Sequence, residues 1–92
     1  MKVLIVDDEP GVRSALQRAL ALERHDVALA EDGQQALDRL AESAVDAIVL
    51  DVMMPRIDGL EVCRRLRLAG DRTPVLMLTA RDAIDDLSLI HI

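Results

Sequence analysis

Short apolar runs alternate along this chain with longer stretches in which apolar positions recur every three or four residues. Four of the runs predict strands: Val3-Leu4-Ile5-Val6, Val27-Ala28-Leu29-Ala30, Ala47-Ile48-Val49-Leu50 and Val75-Leu76-Met77-Leu78. Continuous apolar runs of this length suit strands buried on both faces of a parallel sheet. Between the first two, Val12, Ala15, Leu16, Ala19 and Leu20 share one face of a helix, and Arg13, Gln17, Arg18 and Glu23 take the other. Ala36, Leu37, Leu40, Ala41 and Ala44 mark a second helix. A third runs through Cys63 and Leu66 and stops at Gly70. Asp82 is placed to cap a fourth that barely begins.

The boundaries carry their own signals. Pro10 stands where a helix tolerates proline best, in its first turn. Asp32-Gly33-Gln34-Gln35 reads as a capping box, and Asp58 with Glu61 as another, with an Ile57 to Val62 staple. Met54-Pro55 ends the third strand, since proline cannot donate to a ladder and its predecessor is pushed out of the helical region. The second strand is half alanine and belongs at a sheet edge. Strand and helix alternate with short connections, which predicts a doubly wound parallel α/β sheet.

Composition narrows the function. Ninety-two residues hold one domain at most. A formal net charge of -6 argues against direct binding of nucleic acid and favours a cation. With no Phe, Trp or Tyr, the core is Leu, Val, Ile, Ala and Met. The lone Cys63 excludes an internal disulfide and is expected to be a buried, inert thiol. No apolar run approaches the ~20 residues that span a bilayer, and no leader opens the chain, so the expected location is cytoplasmic.

The chemistry lies at two strand ends. The first strand runs into Asp7-Asp8-Glu9 and the third into Asp51. In an open parallel sheet, ligands bind beyond the carboxyl ends of the strands, where strand order reverses. Three carboxylates meeting there repel: at ~5 Å and an effective dielectric of ~20, each pair costs roughly 3 kcal/mol. A hard divalent cation such as Mg2+ removes that cost and takes a phosphate oxygen as a further ligand. One carboxylate can then act as a nucleophile toward phosphorus and form an aspartyl phosphate.

Val6-Asp7-Asp8-Glu9-Pro10, Leu50-Asp51-Val52-Met53-Met54-Pro55-Arg56-Ile57-Asp58-Gly59 and Leu78-Thr79-Ala80-Arg81 together resemble the three signature segments of the receiver domain of two-component response regulators. The likeness runs from Met1 to about Asp86 and implies a flavodoxin-like sheet of order 2-1-3-4. It implies Asp51 as phosphoacceptor, and Asp7, Asp8, Asp51 and the backbone carbonyl of Met53 as the metal site for Mg2+, with Mn2+ also suited. Thr79 would bond the phosphoryl oxygens, and Ala80 would leave room for them. The donor would be a sensor histidine kinase. The output, often transcription, would belong to a further domain or a partner protein, with homodimerisation of the parent left open. The chain would be a phosphoacceptor switch rather than a metabolic enzyme, catalysing at most its own phosphorylation and slow dephosphorylation.

The family pattern also includes a lysine after a fifth strand, followed by a last helix. The sole lysine here is Lys2, at the other end of the first strand, so no catalytic lysine is present in this chain. The fifth strand and last helix are expected to be missing, leaving Val75 to Leu78 as a bare apolar edge prone to self-association. Leu87-Ser88-Leu89-Ile90-His91-Ile92 does not continue the family pattern, and one reverse translation of it resembles a sequencing-library adapter. Residues 1–86 are therefore expected to be an incomplete receiver domain and 87–92 a non-native tail.

Two competitors stand beside this reading. One is a non-phosphorylatable interaction scaffold or inactive fragment, favoured by the missing lysine. The other, an aspartyl-nucleophile phosphatase, needs a second acid two residues past the nucleophile, where this chain has Met53. Asp58 is read as a cap, His25 as a surface residue in a polar turn, and Arg64, Arg65 and Arg67 as a solvated helix face.

Overall fold

All four apolar runs form strands, and the polar-apolar stretches between them form helices, in the expected alternation. The computed structural model describes residues 1–81 and 86–91. In chain order these are β1 (Lys2–Val6), α1 (Pro10–Leu22), β2 (Asp26–Ala30), α2 (Gly33–Glu42), β3 (Ala47–Asp51), α3 (Gly59–Leu68), β4 (Val75–Arg81) and β5 (Asp86–His91). The first four strands are parallel in the order β2-β1-β3-β4, with β2 at an edge as its alanines predict. The start of a fourth helix at Asp82 falls outside the described residues.

Consecutive strand residues face opposite sides of a sheet, and the core divides accordingly. Leu4, Val6, Ile48, Leu50, Val75 and Met77 pack with Ala36 of α2 and Val62, Cys63 and Leu66 of α3. Val3, Ile5 and Val49 face the other way, toward Leu16 and Leu20 of α1. Leu4, Ile48 and Leu50 have no exposed surface, and each such burial is worth ~1.5–3 kcal/mol. The α1 stripe is shallower than predicted: Ala15 and Ala19 are exposed and no residue of α1 is fully buried.

The sheet does not end at β4. Residues 86–91 return antiparallel along it, with Leu76 opposite His91 and Arg81 opposite Asp86, so the expected bare edge is paired. Only residues 82–85 separate the two strands. A parallel crossover needs a dozen residues or more, which leaves a hairpin as the one pairing this length permits. Val75, Met77 and Leu78 are buried.

The helix starts follow the predicted caps with two changes. Asp32 accepts from Gln35 N–H and Asp58 from Glu61 N–H, both at 2.8 Å. The Gln35 side chain, however, accepts from Glu31 N–H at 3.0 Å rather than from the cap residue. Glu61 does not close its box either. Its carboxylate turns to Arg64 and Arg65, and these charge-assisted bonds, Arg64 first, hold its pKa down at about 2. At the far end of α3, Gly70 has φ 83, Gly70 N–H meets the Arg67 carbonyl and Asp71 N–H the Leu66 carbonyl, a Schellman stop. Arg67 departs from the predicted solvated face: it donates to the Asp71 and Thr73 carbonyls, each at 2.9 Å, and fastens the turn into β4. Among the described residues no helix is long and apolar enough to cross a membrane.

Candidate functional site

The β1–β3 register sets Val6 opposite Leu50, so Asp7 and Asp51 follow side by side at the carboxyl ends of neighbouring strands. Asp8 comes next in the chain. One carboxylate oxygen from each of Asp7, Asp8 and Asp51 lies within 4.8 Å of the other two. Asp8 is exposed, Asp51 half-buried, and Asp7 only 3% exposed, the one buried charged side chain among the described residues. With Glu9, Val12, Met53 and Leu78, the three acids line a cleft of about 250 Å3.

Local backbone holds two of the acids in place. Asp7 Oδ1 accepts from Glu9 N–H at 2.9 Å and Asp51 Oδ1 from Met53 N–H at 3.1 Å, each an Asx turn two residues long. The Met53 side chain is 75% exposed. Val52 N–H donates to the Leu78 carbonyl at 3.1 Å, which carries the β3–β4 pairing one residue past Asp51 and up to the residue before Thr79.

Electrostatics record the crowding. Burial, then the charges of Asp7 and Asp8, push the Asp51 carboxyl up to about 7, against the opposing pull of the Met53 N–H. Asp7 is also raised, first by burial and then by Asp8 and Glu9, while the Glu9 N–H pulls the other way. No ammonium from this chain offsets them. Lys2 Nζ donates to Ser43 Oγ at 2.8 Å, at the opposite end of β1. A cluster of hard oxygen donors whose ionisation is resisted by its own charges is suited to hold a cation.

One supporting residue escaped the sequence reading. Arg13, predicted to face solvent, is half-buried, donates from Nη1 to the Asp7 carbonyl at 2.7 Å and stands 3.9 Å from Glu31. The signal was its place one turn into α1, above the loop that carries Asp7 and Asp8. Cys63 is buried, as expected. His25 is partly exposed, with Nδ1 3.4 Å from the terminal amine.

Known proteins resemble this chain in sequence and fold. The family model described as "Response regulator receiver domain" matches residues 3–89. The response regulator MprA of Mycolicibacterium vanbaalenii is 54% identical over 86 residues, 94% of this chain and 37% of that protein. The chain thus spans little more than a third of the length of this relative. Among solved structures, the receiver domain of Francisella response regulator 1452 superposes with a TM-score of 0.84 at 34% identity, covering 90% of this chain and 69% of that one. Response regulator TrrA of Thermotoga maritima, in complex with Mg(2+)-BeF, gives 0.83 at 36% identity, covering 88% and 70%. Sheet order, paired strand-end acids and these matches agree, and the chain belongs to the response regulator receiver domain family, the phosphoacceptor switches of phosphorelay signalling.

Proposed function

We propose that Asp51 accepts a phosphoryl group from a sensor histidine kinase in a Mg2+-dependent reaction, and that this switches an output, often transcription, carried by a further domain or a partner protein. The observation that carries the reading is the convergence of the Asp7, Asp8 and Asp51 carboxylates within 4.8 Å at adjoining strand ends. Their donor set fits Mg2+, with Mn2+ also suited, and Asp7, Asp8, Asp51 and the Met53 carbonyl are the groups that would hold it. Bound there, the ion neutralises charge on the transferring group.

The chain's own residues do the rest. An Asp51 carboxylate oxygen bonds to phosphorus as the bond from phosphorus to the donor imidazole nitrogen breaks, and that nitrogen keeps the electron pair. Met53 N–H keeps the Asp51 carboxylate oriented. The Thr79 hydroxyl is assigned to the new phosphoryl oxygens, and Ala80 to the room beside them. Phosphorylation brings a charge of about -1.5 to -2 and strong acceptors, enough to bias a loop with two states. In this reading residues 1–86 are receiver sequence, 87–92 a non-native tail whose residues 87–91 pair with β4, and the protein works in the cytoplasm.

The second reading, an interaction scaffold that takes no phosphate, is favoured by one observation: Lys2 is the sole lysine and is engaged with Ser43. Intact mass decides between them. After incubation with Mg2+ and a small acyl phosphate, the chain is expected to gain one phosphoryl group and Asp51→Asn none. A wild-type chain that stays unmodified supports the scaffold, and an adduct that survives Asp51→Asn removes Asp51 from its role.

A further inference from the structure

The two helices that flank the loop after Asp51 begin with the same dipeptide, Asp32-Gly33 at α2 and Asp58-Gly59 at α3. The aspartates are the caps. The glycines are buried, and neither has a positive φ, so backbone freedom does not explain them. Space does. A Cβ on Gly59 would collide with the Asp51 carbonyl oxygen and stand 2.9 Å from both the Asp51 carbonyl carbon and the Val52 Cα. A Cβ on Gly33 would stand 2.5 Å from the Ile57 carbonyl oxygen and 2.9 Å from its Cβ. The atoms met at Gly59 are all backbone, which cannot swing aside as a side-chain tip can. Gly59 N–H also donates to the Val52 carbonyl at 3.0 Å, closing the base of the loop. Near its tip Arg56 stands 3.7 Å from Asp32.

We infer that Gly59 is a positioning residue for Asp51, and that Gly33 steadies the far side of the same loop through Ile57. This rests on the reading of Asp51 and Met53 as part of the metal and phosphoacceptor site. The bare Cα of Gly59 lets the first turn of α3 lie directly on the Asp51–Val52 peptide. Any side chain there moves that peptide, and with it the Asp51 carboxylate and the Met53 N–H that orients it. A displacement of ~1 Å at a phosphoryl-transfer site can cost ~100-fold in rate.

The test compares Gly59→Ala and Gly33→Ala with Gly11→Ala, whose Cβ meets nothing within 4 Å. Calorimetric Mg2+ affinity, the rate of acyl-phosphate labelling and thermal unfolding are measured for each. Gly59→Ala is expected to lower Mg2+ affinity of the folded protein and labelling rate about tenfold or more, Gly33→Ala by less, and Gly11→Ala not at all. A folded Gly59→Ala protein with wild-type affinity and rate overturns the inference, even if it melts lower, because packing alone would then account for the glycine. Should that variant not fold, amide resonances of the wild-type chain decide. Added Mg2+ is expected to shift Val52 and Gly59 along with Met53 and leave Gly70 still, and an unmoved Gly59 overturns the inference. A wild-type chain that binds Mg2+ but takes no phosphate defeats the phosphoacceptor reading, while the Mg2+ affinities still judge Gly59.

Discussion

Met53 donates its backbone N–H to the Asp51 carboxylate at 3.1 Å, yet burial and the neighbouring Asp7 still hold that carboxyl at about 7, against an ordinary 3.8. Between those two values the folded chain keeps a proton that the unfolded chain has released. Stability of the metal-free protein is therefore expected to fall as the pH rises from about 4 to about 7, and this loss is complete above the folded pKa. Mg2+ works in the opposite direction because its ligands must be ionised. The rise in melting temperature on adding Mg2+ should be larger near pH ~8 than near pH ~5.5, and equal rises at both would contradict this account of the cluster.

Removing one charge should relieve the same repulsion. Asp51→Asn keeps the shape and the acceptor for Met53 N–H but not the charge opposite Asp7 and Asp8. Above neutral pH, without metal, the variant is expected to be more stable by at least ~1 kcal/mol, which for a domain of this size is about 4–8 °C or more in melting temperature. It should also lose most of its response to Mg2+. A variant less stable than the wild type would mean that Asp51 has compensating partners beyond those seen.

Other acids in the chain should behave differently. Asp58 accepts from Glu61 N–H at 2.8 Å and serves as the α3 cap. Asp58→Ala is expected to cost ~1 kcal/mol, and Asp58→Asn, which keeps an acceptor, much less. Neither should change Mg2+ affinity beyond about twofold, since loss of a neutralising ligand is not involved. Denaturant melts and a metal titration on the same samples check both halves.

These predictions separate what could be read along the chain from what could not. The apolar runs ending in Asp7 and Asp51 were legible because strand burial and strand direction leave their mark one residue at a time. The caps at Asp32 and Asp58 were legible for the same reason. The partners of Gln35 and Glu61 were not, because the choice depends on which donor lies nearest in space, and for Glu61 two guanidinium groups outbid one peptide N–H. Arg13 and Gly59 were missed through distance. One reaches the Asp7 carbonyl and the other abuts the Asp51 peptide, contacts that exist only once the strands stand side by side. The hairpin partner of β4 was not legible because residues 86–91 follow no family pattern, and their pairing depends on the open edge that β4 offers once the sheet has formed.

Two leucines provide a test of the layered core itself. Leu4 lies in the middle of β1 with no exposed surface, in the cluster shared with α2 and α3. Leu68 ends α3 at 73% exposed. Truncation at Leu4 removes buried methyl groups and leaves a void between layers that strands on both sides keep from collapsing. Leu4→Ala is expected to cost ~2–5 kcal/mol, a large share of the roughly 5–15 kcal/mol available to a domain. Leu68→Ala should stay within about 0.5 kcal/mol. Since the chain has no aromatic residue to report by fluorescence, circular dichroism in urea is the suitable measurement. Similar costs at the two positions would mean that β1 is not an interior strand of the sheet.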